Sequence, residues 1–401
     1  MYLQTKEKNR CSGCGACSKA CPKAAIAMKA DDHGFAYPVI DMRLCISCGL
    51  CEKVCPMDKP LADREGQEFY AVRSKDDAVV KQSSSGGLLT LMAEAIFAMG
   101  GTVYGAAYDE VFRAEHRQAA DMTQAAAFRG SKYVQSDFSG VYTAVEADLK
   151  EGKPVLVTGT PCQIAGLQAY LRQRKADTEK LYTCDNICHG VSSPMVFADY
   201  LDCLKKKLDA DDKIISVNMR SKDGGEKTRM QVCSQKQGAL AMVNDFSYQR
   251  LYQTRVAVRS SCFACPFTSY ARPGDLSAGD FWNAKPSDVS FDIQKGINEV
   301  LVNSPKGQAL LDMIRENAYI QSVTKEKAWQ PHLEYATAKP ERYDAFWHDY
   351  LSADDRELVM RGMMKQDMMS KVISTVMPIL RKTGLYSLFG KLYRMVFVRK
   401  K

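Results

Sequence analysis

Apolar and polar positions change their period repeatedly between Glu68 and residue 208. Short β-branched runs typical of strands alternate with longer segments whose apolar positions recur at helical spacing. The predicted strands are FYAVRS (69–74), TVYGAAYD (102–109), KPVLVTG (153–159) and KLYTCDNIC (180–188). The predicted helices are GGLLTLMAEAIFAMG (86–100), FSGVYTAVEADLKEG (138–152), TPCQIAGLQAYLRQ (160–173) and SSPMVFADYLDCLKKKL (192–208). This alternation predicts an α/β architecture with a partly parallel sheet.

The pattern differs at both ends and in one internal stretch. AIAMKA (25–30) and GFAYPVID (34–41) predict short strands, and residues 214–246 predict antiparallel strands. The polar, turn-rich MDKPLADREGQE (57–68) predicts a linker. From residue 341 onward the chain is Met-rich and predicts helices.

Cysteine is the residue type that changes this picture, because there are 15 among 401 residues. The opening MYLQTKEKNR is polar and lacks the apolar core of a secretory signal peptide. Disulfide frameworks belong mainly to secreted proteins. We therefore expect a cytoplasmic protein whose cysteines bind metal.

The formal net charge of +8 is concentrated at one end of the chain. Arg381 to Lys401 contain seven Lys or Arg residues and no acidic residue, so the rest of the chain is almost neutral. A nucleic-acid-binding protein carries its positive charge as a patch or stripe on the folded body. We therefore expect no nucleic-acid partner.

A group of four cysteines occurs twice with the same internal spacing. CSGCGACSKACP (11–22) recurs as CISCGLCEKVCP (45–56). This run is typical of bacterial two-cluster ferredoxins, in which three cysteines bind one cubane and the fourth binds the other. Two zinc sites are the alternative, but zinc requires neither the third cysteine nor the trailing proline. We expect two 4Fe–4S clusters, one on Cys11, Cys14, Cys17 and Cys55, the other on Cys45, Cys48, Cys51 and Cys21.

Four later cysteines lie where predicted elements begin or end. They are Cys162 at a strand-to-helix turn, Cys188 at a strand end, and Cys262 and Cys265 in CFAC. The carboxyl ends of parallel strands share one edge of a sheet, so these four thiols suffice for a third cluster. An alternative makes Cys162 a nucleophile, because a helix N-terminus lowers a thiol pKa.

The remaining cysteines have simpler interpretations. Cys184 lies near enough to Cys188 to compete with it as a ligand. Cys203 falls within a predicted helix and Cys233 within a predicted strand, and neither has a cysteine partner nearby in the sequence. We expect these two to be small structural residues.

A loop rich in serine and glycine, QSSSGGLLT (82–90), precedes the first predicted helix of the α/β region. Exposed amides at a helix N-terminus bind phosphate, and glycine permits close backbone approach. A helix cap without a ligand is the alternative.

Six motifs in order resemble the coenzyme F420 hydrogenase/dehydrogenase beta-subunit family. They are SSSGGLL, RGSKYVQS, GTPCQIAGL, DNICHGVSSP, SCFACPF and DLSAGDFW, and the resemblance extends over roughly residues 68–301. It implies an iron–sulfur flavoprotein that binds FAD, with Cys162, Cys188, Cys262 and Cys265 as ligands of a cluster near the flavin. It also implies a set of flavin-contacting residues: Ser84, Ser85, Gly86, Gly87, Gly130, Ser131, Lys132, Tyr133, Thr158, Gly159 and Thr160. Asp280 and His189 are further pocket candidates, and no catalytic residue is assigned.

With that resemblance, the chain divides into four expected parts. These are a two-cluster ferredoxin-like domain (1–62), two parts of a flavoprotein region (68–150 and 151–338, the second with the third cluster site) and a helical basic tail (339–401). The expected fold class is thus α+β followed by α/β.

The expected function is electron transfer from ferredoxin or another one-electron donor, through 4Fe–4S clusters, to FAD and an organic substrate. Some relatives imply a glycan-related substrate in surface polysaccharide synthesis. One alternative is an oxidoreductase that uses coenzyme F420, although no motif here recognises that deazaflavin specifically. The other is a non-catalytic relay subunit within a larger complex.

The C-terminal segment KVISTVMPILRKTGLYSLFGKLYRMVFVRKK (371–401) mixes apolar residues with cations and contains no run of 18 apolar residues. This composition suits either a peripheral helix on an anionic membrane surface or a helix packed on the body.

Deleting residues 381–401 tests the peripheral interpretation. We expect the deletion to release any membrane-bound fraction, because it removes the cations that attract anionic lipid. Flotation with vesicles rich in phosphatidylserine measures this. A full-length protein that never floats would contradict the expectation.

Overall fold

A computed structural model describes residues 2–59, 61, 66–223 and 229–364. The segment 371–401, predicted to contact a membrane, therefore lies outside the described residues. Helices within them are α1 Tyr2–Thr5, α2 Ala16–Lys19, α3 Leu50–Lys53, α4 Asp77–Lys81, α5 Leu88–Ala98, α6 Met122–Ala125, α7 Val141–Lys150, α8 Pro161–Arg174, α9 Pro194–Lys205, α10 Tyr248–Thr254, α11 Pro305–Met313, α12 Tyr343–Ser352 and α13 Arg356–Met364. Strands are β1 Ile26–Ala30, β2 Ala36–Ile40, β3 Glu68–Ser74, β4 Thr102–Tyr108, β5 Ala114–Ala119, β6 Val155–Gly159, β7 Leu181–Asn186, β8 Ile214–Ser221, β9 Arg229–Ser234, β10 Gly238–Ala239, β11 Leu276–Asp280, β12 Asn298–Val302 and β13 Ala318–Val323.

The largest sheet is mixed, with the strand order β13-β3-β12-β11-β7-β6-β4-β5. Strands β4, β6, β7 and β11 run parallel to their neighbours within that group. The outer strands pair antiparallel, and β3 lies between β12 and β13. The sheet therefore joins both expected parts of the α/β region, and it confirms the predicted mixed α/β fold.

Helices cover both faces of the parallel core, which is why its strands are apolar on both sides. Val155, Leu156 and Val157 of β6 are all fully buried. Leu156 packs in the cluster that contains residues of α5 and α11, whereas Val155 and Val157 pack with residues of α7 and α8. Burial on both faces produces the continuous β-branched run seen in the sequence.

The N-terminal module, residues 2–59, repeats a small unit. Helices α2 and α3 each follow a glycine in the left-handed region, Gly15 (φ 85°) and Gly49 (φ 69°), where a side chain would be strained. Strands β1 and β2 form an antiparallel hairpin, as predicted. Ala16 and Val54 pack into the core formed by α7 and α8, so the module is docked on the large sheet's helical layer.

A smaller antiparallel sheet, β10-β9-β8, confirms the strands predicted between residues 214 and 246. It shares a core with α9, α10, α12 and α13, and Phe35 and Tyr37 of the N-terminal module join that core. No helix among the described residues is both long and apolar enough to span a bilayer.

Candidate functional site

The first group of thiols in the N-terminal module combines residues from both repeats. Cys55 of the second repeat lies beside Cys11 and Cys14 of the first, and its proximity to Cys17 raises the pKa of that thiol as well. Burial is the main cause of each shift and raises the pKa of Cys14 and of Cys55 to about 11. The fourth cysteine of one repeat therefore faces the other repeat's group.

The second group is closer to solvent. Cys48 is exposed, whereas Cys45, Cys51 and Cys21 are partly buried. The thiol of Cys51 has Cys48 as a neighbour, and burial raises its pKa. The Cys21 sulfur accepts a hydrogen bond from the Ala25 amide at 3.3 Å. This group therefore forms the solvent-facing end of the module.

The four later cysteines, here called the third-site cysteines (Cys162, Cys188, Cys262 and Cys265), converge from three segments. Cys162 lies in the first turn of α8, Cys188 follows β7, Cys262 lies in a 3-10 turn and Cys265 comes directly after it. Burial raises the pKa of every one of these thiols, and for Cys265 to about 12. The Cys188 thiol lies near those of Cys162 and Cys262. The Cys162 thiol in turn lies near that of Cys265.

The spacing of the cysteine sulfurs can be compared with that of a zinc site. Tetrahedral zinc has Zn–S bonds of about 2.3 Å, which places its sulfur ligands roughly 4 Å apart. Among the described residues, which include every cysteine, no three sulfurs lie within 4.8 Å of one another.

Cys184 lies apart from this group. Its side chain is buried within the core beneath β7, together with Leu276 of β11 and Leu156 of β6. Burial is the main cause of its raised pKa, and charged neighbours are Asp185, Arg272 and Asp275. The structure therefore brings Cys188 to the third-site cysteines and leaves Cys184 in the sheet.

A buried ion pair holds two of the cysteine-bearing segments in place. The side chains of Arg272 and Asp185 are both fully buried, and Arg272 Nε donates to Asp185 Oδ1 at 3.0 Å. Arg272 also donates to the carbonyl oxygens of Phe267 and Asn186, each at 2.8 Å. Phe267 follows the CFAC motif and Asn186 precedes Cys188. One guanidinium therefore holds these two segments in fixed positions relative to each other.

The N-terminal module meets the third-site cysteines on α8. Gly166 lies one turn beyond Cys162, and a Cβ at position 166 would lie 3.1 Å from the Cys14 sulfur. Tyr142 of α7 donates a hydrogen bond to the Cys14 carbonyl oxygen at 2.7 Å. Cys162 is close enough to contribute to the raised pKa of Cys14. The first thiol group of the module therefore borders the third site.

A cavity of about 630 Å³ opens at the carboxyl ends of β6, β7 and β11. This volume lies within the range of small-molecule and cofactor sites, and the location is the usual one in open α/β sheets. Cys188 lines the cavity, as do His189 and Asp280. Of the predicted flavin-contacting residues, the following line it: Ser84, Ser85, Gly87, Gly130, Ser131, Lys132, Tyr133, Thr158, Gly159 and Thr160.

Gly86 is the predicted residue that the cavity lining omits. A Cβ at this position would lie 2.6 Å from the carbonyl oxygen of Val72 and 2.9 Å from the Asn298 amide. The glycine therefore allows the loop to pack on β3 and β12. Its neighbour Gly87 has φ 92° and begins α5 without a side-chain cap, so the N-terminus of that helix faces the cavity.

One wall of the cavity carries a buried cation. Ser84 Oγ accepts hydrogen bonds from the amide and hydroxyl of Ser131, at 2.8 and 3.0 Å, which joins the two predicted loops. Lys132 Nζ donates to the carbonyl oxygens of Ala127 and Arg129, at 2.8 and 2.9 Å. Burial lowers the pKa of Lys132 to about 7. The Gly130 carbonyl oxygen also accepts from Lys132 Nζ, at 3.3 Å, so backbone carbonyl oxygens take all three donors of this side chain and order the loop around it.

Several other residues of the lining carry no recognisable signal in the sequence. Arg220 of β8 pairs with Asp280, and its charge also acts on Tyr133. Tyr133 stacks on Tyr252 with ring centroids 4.4 Å apart and an interplanar angle of 10°. Neither Arg220 nor Tyr252 belongs to a motif, because each reaches the cavity through tertiary packing alone.

Histidines in and around the cavity are neutral. His116 Nε2 lies 3.0 Å from the Thr158 carbonyl oxygen, and burial lowers its pKa to about 4. His189 stacks on His332 with ring centroids 4.0 Å apart. Burial also lowers the pKa of both of these rings, for His332 to about 4.

Comparison with known proteins gives two family matches. Residues 152–328 match the family model for the C-terminal part of the coenzyme F420 hydrogenase/dehydrogenase beta subunit, and residues 10–59 match a 4Fe-4S dicluster domain. A chain of the F420-reducing [NiFe] hydrogenase complex from Methanosarcina barkeri aligns over 65% of this chain and 82% of its own, at 15% identity and a TM-score of 0.44. No curated protein matches the sequence. The family matches confirm the predicted 4Fe–4S clusters of the N-terminal module and an oxidoreductase role in electron transfer.

The buried ion pair yields a stability prediction. Asp185→Asn leaves the Arg272 charge buried without compensation, so we expect it to lower the free energy of unfolding by about 3–5 kcal/mol. The double variant Asp185→Leu/Arg272→Met removes both charges and should recover part of the loss. Denaturant midpoints measure both.

Arg315→Met is the matched control, because it breaks an exposed pair with Asp312 worth about 0–1 kcal/mol. An effect of Asp185→Asn no larger than this control would contradict the role given to the pair.

Proposed function

We propose a function from one premise: residues 152–328 belong to the coenzyme F420 hydrogenase/dehydrogenase beta-subunit family, and residues 10–59 form a 4Fe-4S dicluster domain. On this premise the chain is an iron–sulfur flavoprotein oxidoreductase. It transfers electrons between a one-electron donor at the N-terminal module and an organic substrate at the cavity. The region from residue 68 to residue 338 then works as one flavoprotein unit, since its two parts share a sheet.

The observation that carries the proposal is the convergence of Cys162, Cys188, Cys262 and Cys265 beside the cavity. Four thiols from three segments supply the full ligand set of a cubane. Backbone and hydroxyl donors support this use, since the Gly190 amide lies 3.4 Å from the Cys188 sulfur. Such donors tune the potential of thiolate-bound iron.

The cavity fits FAD by the chemistry of its walls. The N-terminus of α5 at the cavity wall and the positive charge of Lys132 favour the diphosphate. The stacked pair of Tyr133 and Tyr252 offers a flat surface for an aromatic ring. FAD, when bound, supplies the conversion between single electrons and a hydride. The protein's own residues bind it, orient it and place Cys188 at the same cavity wall.

The solvent exposure of the cysteines supports an electron path that runs from the outer group of the N-terminal module to the cavity. Cys48 is exposed at the outer end of the module, Cys14 lies against α8, and Cys188 lines the cavity. A donor protein can therefore reach the outer group without entering the fold. We propose that a ferredoxin or similar carrier docks there and that the substrate binds at the cavity.

Iron content tests the third site. Anaerobically prepared protein should hold about twelve irons, since each cubane contains four. Cys162→Ala should reduce this to about eight while the N-terminal clusters remain. Iron assay and electron paramagnetic resonance measure both. Cys233→Ala, which alters a cysteine outside all three groups, is the control. Equal iron in Cys162→Ala and wild type would remove Cys162 from the ligand set.

Flavin affinity tests the cavity. Lys132→Met should raise the dissociation constant for FAD by about tenfold, equal to about 1.4 kcal/mol, because it removes a positive charge from the cavity wall and the hydrogen bonds that order the loop around Gly130. Titration of flavin-free protein, followed by fluorescence, measures this. Lys81→Met is the control, because Lys81 is an exposed lysine just before the serine- and glycine-rich loop that also lines the cavity. Equal affinities in both variants would argue against diphosphate binding at Lys132.

An anaerobic substrate screen decides between the functions. Protein reduced with dithionite is mixed with candidate acceptors, and flavin reoxidation is recorded. Reoxidation by an organic or glycan-related acceptor supports the proposal. Reoxidation by coenzyme F420 alone would identify a deazaflavin oxidoreductase. Reoxidation by protein carriers alone would identify a relay subunit.

A further inference from the structure

A fully buried arginine joins the N-terminal module to the third site. Arg259 lies three residues before Cys262, and its side chain reaches into the module. Its Nε donates to the Cys11 carbonyl oxygen at 2.8 Å, and one terminal nitrogen donates to the Ala36 carbonyl oxygen at 3.0 Å. The other donates to Gln135 Oε1 at 3.0 Å. Three parts of the chain therefore converge on one guanidinium.

The groups that hydrogen-bond to this guanidinium or stack on it are uncharged. Its carbon lies 4.2 Å from the ring centroid of Tyr37 and 5.3 Å from that of Phe35. No carboxylate of residues 2–59, 61, 66–223 or 229–364 forms an ion pair with it. A buried charge is costly unless an opposite charge lies nearby. An anion other than a side-chain carboxylate would therefore stabilise the buried charge of Arg259.

Cluster-binding loops lie on both sides of this charge. A Cβ at Gly13 would lie 2.8 Å from an Arg259 nitrogen, so the Cys11–Cys14 loop closes directly over the guanidinium. On the other side, Arg259 is a cationic neighbour of Cys162. The side chain of Ser12, also buried, lies beside the thiols of Cys14 and Cys162. Four thiolates around a cubane give an anionic centre, which both the guanidinium and the Ser12 hydroxyl suit.

We propose that Arg259 is a shared positioning residue and fixed positive charge for the two clusters beside it, raising the reduction potential of both. Reduction of a cubane adds one electron and therefore one negative charge. A nearby buried cation stabilises that charge, so it favours the reduced state of each cluster. The inference rests on the proposed function for the third cluster, but not for the cluster held by Cys11.

The outer cluster provides an internal reference. Among the described residues, Arg259 makes no hydrogen bond with the Cys45–Cys51 loop. A charge change at Arg259 should therefore shift the two inner clusters and leave the outer one in place.

Arg259→Gln is the first test, with redox titration followed by electron paramagnetic resonance. At a fixed poise we expect the ratio of reduced to oxidised inner clusters to fall about tenfold or more, equal to about 59 mV for one electron. Arg259→Lys keeps the charge and should retain most of the wild-type ratio. Arg43→Gln is the matched control and should change nothing, since Arg43 is 89% exposed beside the outer cluster.

Gln135→Glu is a second test that keeps Arg259 in place. It sets a carboxylate at the atom that already accepts from Arg259, so it neutralises the charge without a cavity. We expect the same downward shift of the inner clusters. Gln135→Met is its control, because both changes remove the donor to the Ser12 carbonyl oxygen but only one adds charge.

The outcomes separate this inference from the proposed function. Wild-type iron of about eight per chain would remove the third cluster, and Arg259→Gln must then still lower one N-terminal potential. If Arg259→Gln fails to retain iron, Gln135→Glu decides. Unchanged potentials in an iron-replete Arg259→Gln or Gln135→Glu variant would overturn the inference. Equal shifts in Arg259→Lys and Arg259→Gln would also overturn it, because they would assign the effect to hydrogen bonds alone.

Discussion

The close approach of Cys14 to helix α8 at Gly166 is the contact on which the rest of the arrangement depends. A Cβ at position 166 would lie 3.0 Å from the Tyr142 hydroxyl and 3.1 Å from the Cys14 sulfur, so both neighbours would have to move away from α8. The apolar contacts of Ala16 and Val54 could not then form in their present places, because they belong to the same interface. Because Gly166 has no side chain, the Cys14 sulfur can lie against α8, and this contact brings the thiols of the N-terminal module close to those of the α/β region. Electron transfer between protein-bound centres weakens steeply with separation, so this packing detail has a direct functional consequence.

Helix α8 and the strand before it serve three purposes along one short segment. Thr158, Gly159 and Thr160 line the cavity, Cys162 belongs to the third-site cysteines, and Gly166 receives the module. A capping box between Thr160 and Gln163 fixes the start of the helix, so these three parts are held in one geometry. The buried Arg272–Asp185 pair then sets the remaining cysteine segments against this fixed element. The site is therefore built around a rigid strand-to-helix turn.

Much of this organisation was predictable, because it follows from local patterns. β-branched runs marked β6 and β7, and repeated cysteine spacing marked the N-terminal module. Strand β5 was missed because AEHRQA is an edge strand with mostly polar residues, and β11 because LSAGD is short and contains Gly and Asp. Cys184 and Cys188 were inseparable in the sequence, since only the end of strand β7 keeps Cys184 in the sheet core and places Cys188 beside Cys162 and Cys262. Arg259 and Arg272 act through partners distant in sequence, and a single arginine in a loop has no periodic signal.

The difference in exposure between the cysteines also predicts the order in which oxidation would damage the metal sites. Cys48 is the exposed one, whereas the third-site cysteines are enclosed between α8, the CFAC turn and the N-terminal module. Oxidation of cysteine follows access and thiolate character, so dioxygen and peroxides would attack the outer cluster first. Its loss would leave the inner centres and the cavity intact but without a supply of electrons. On the proposed electron path, damage would therefore cut off the electron supply before it reached the cavity.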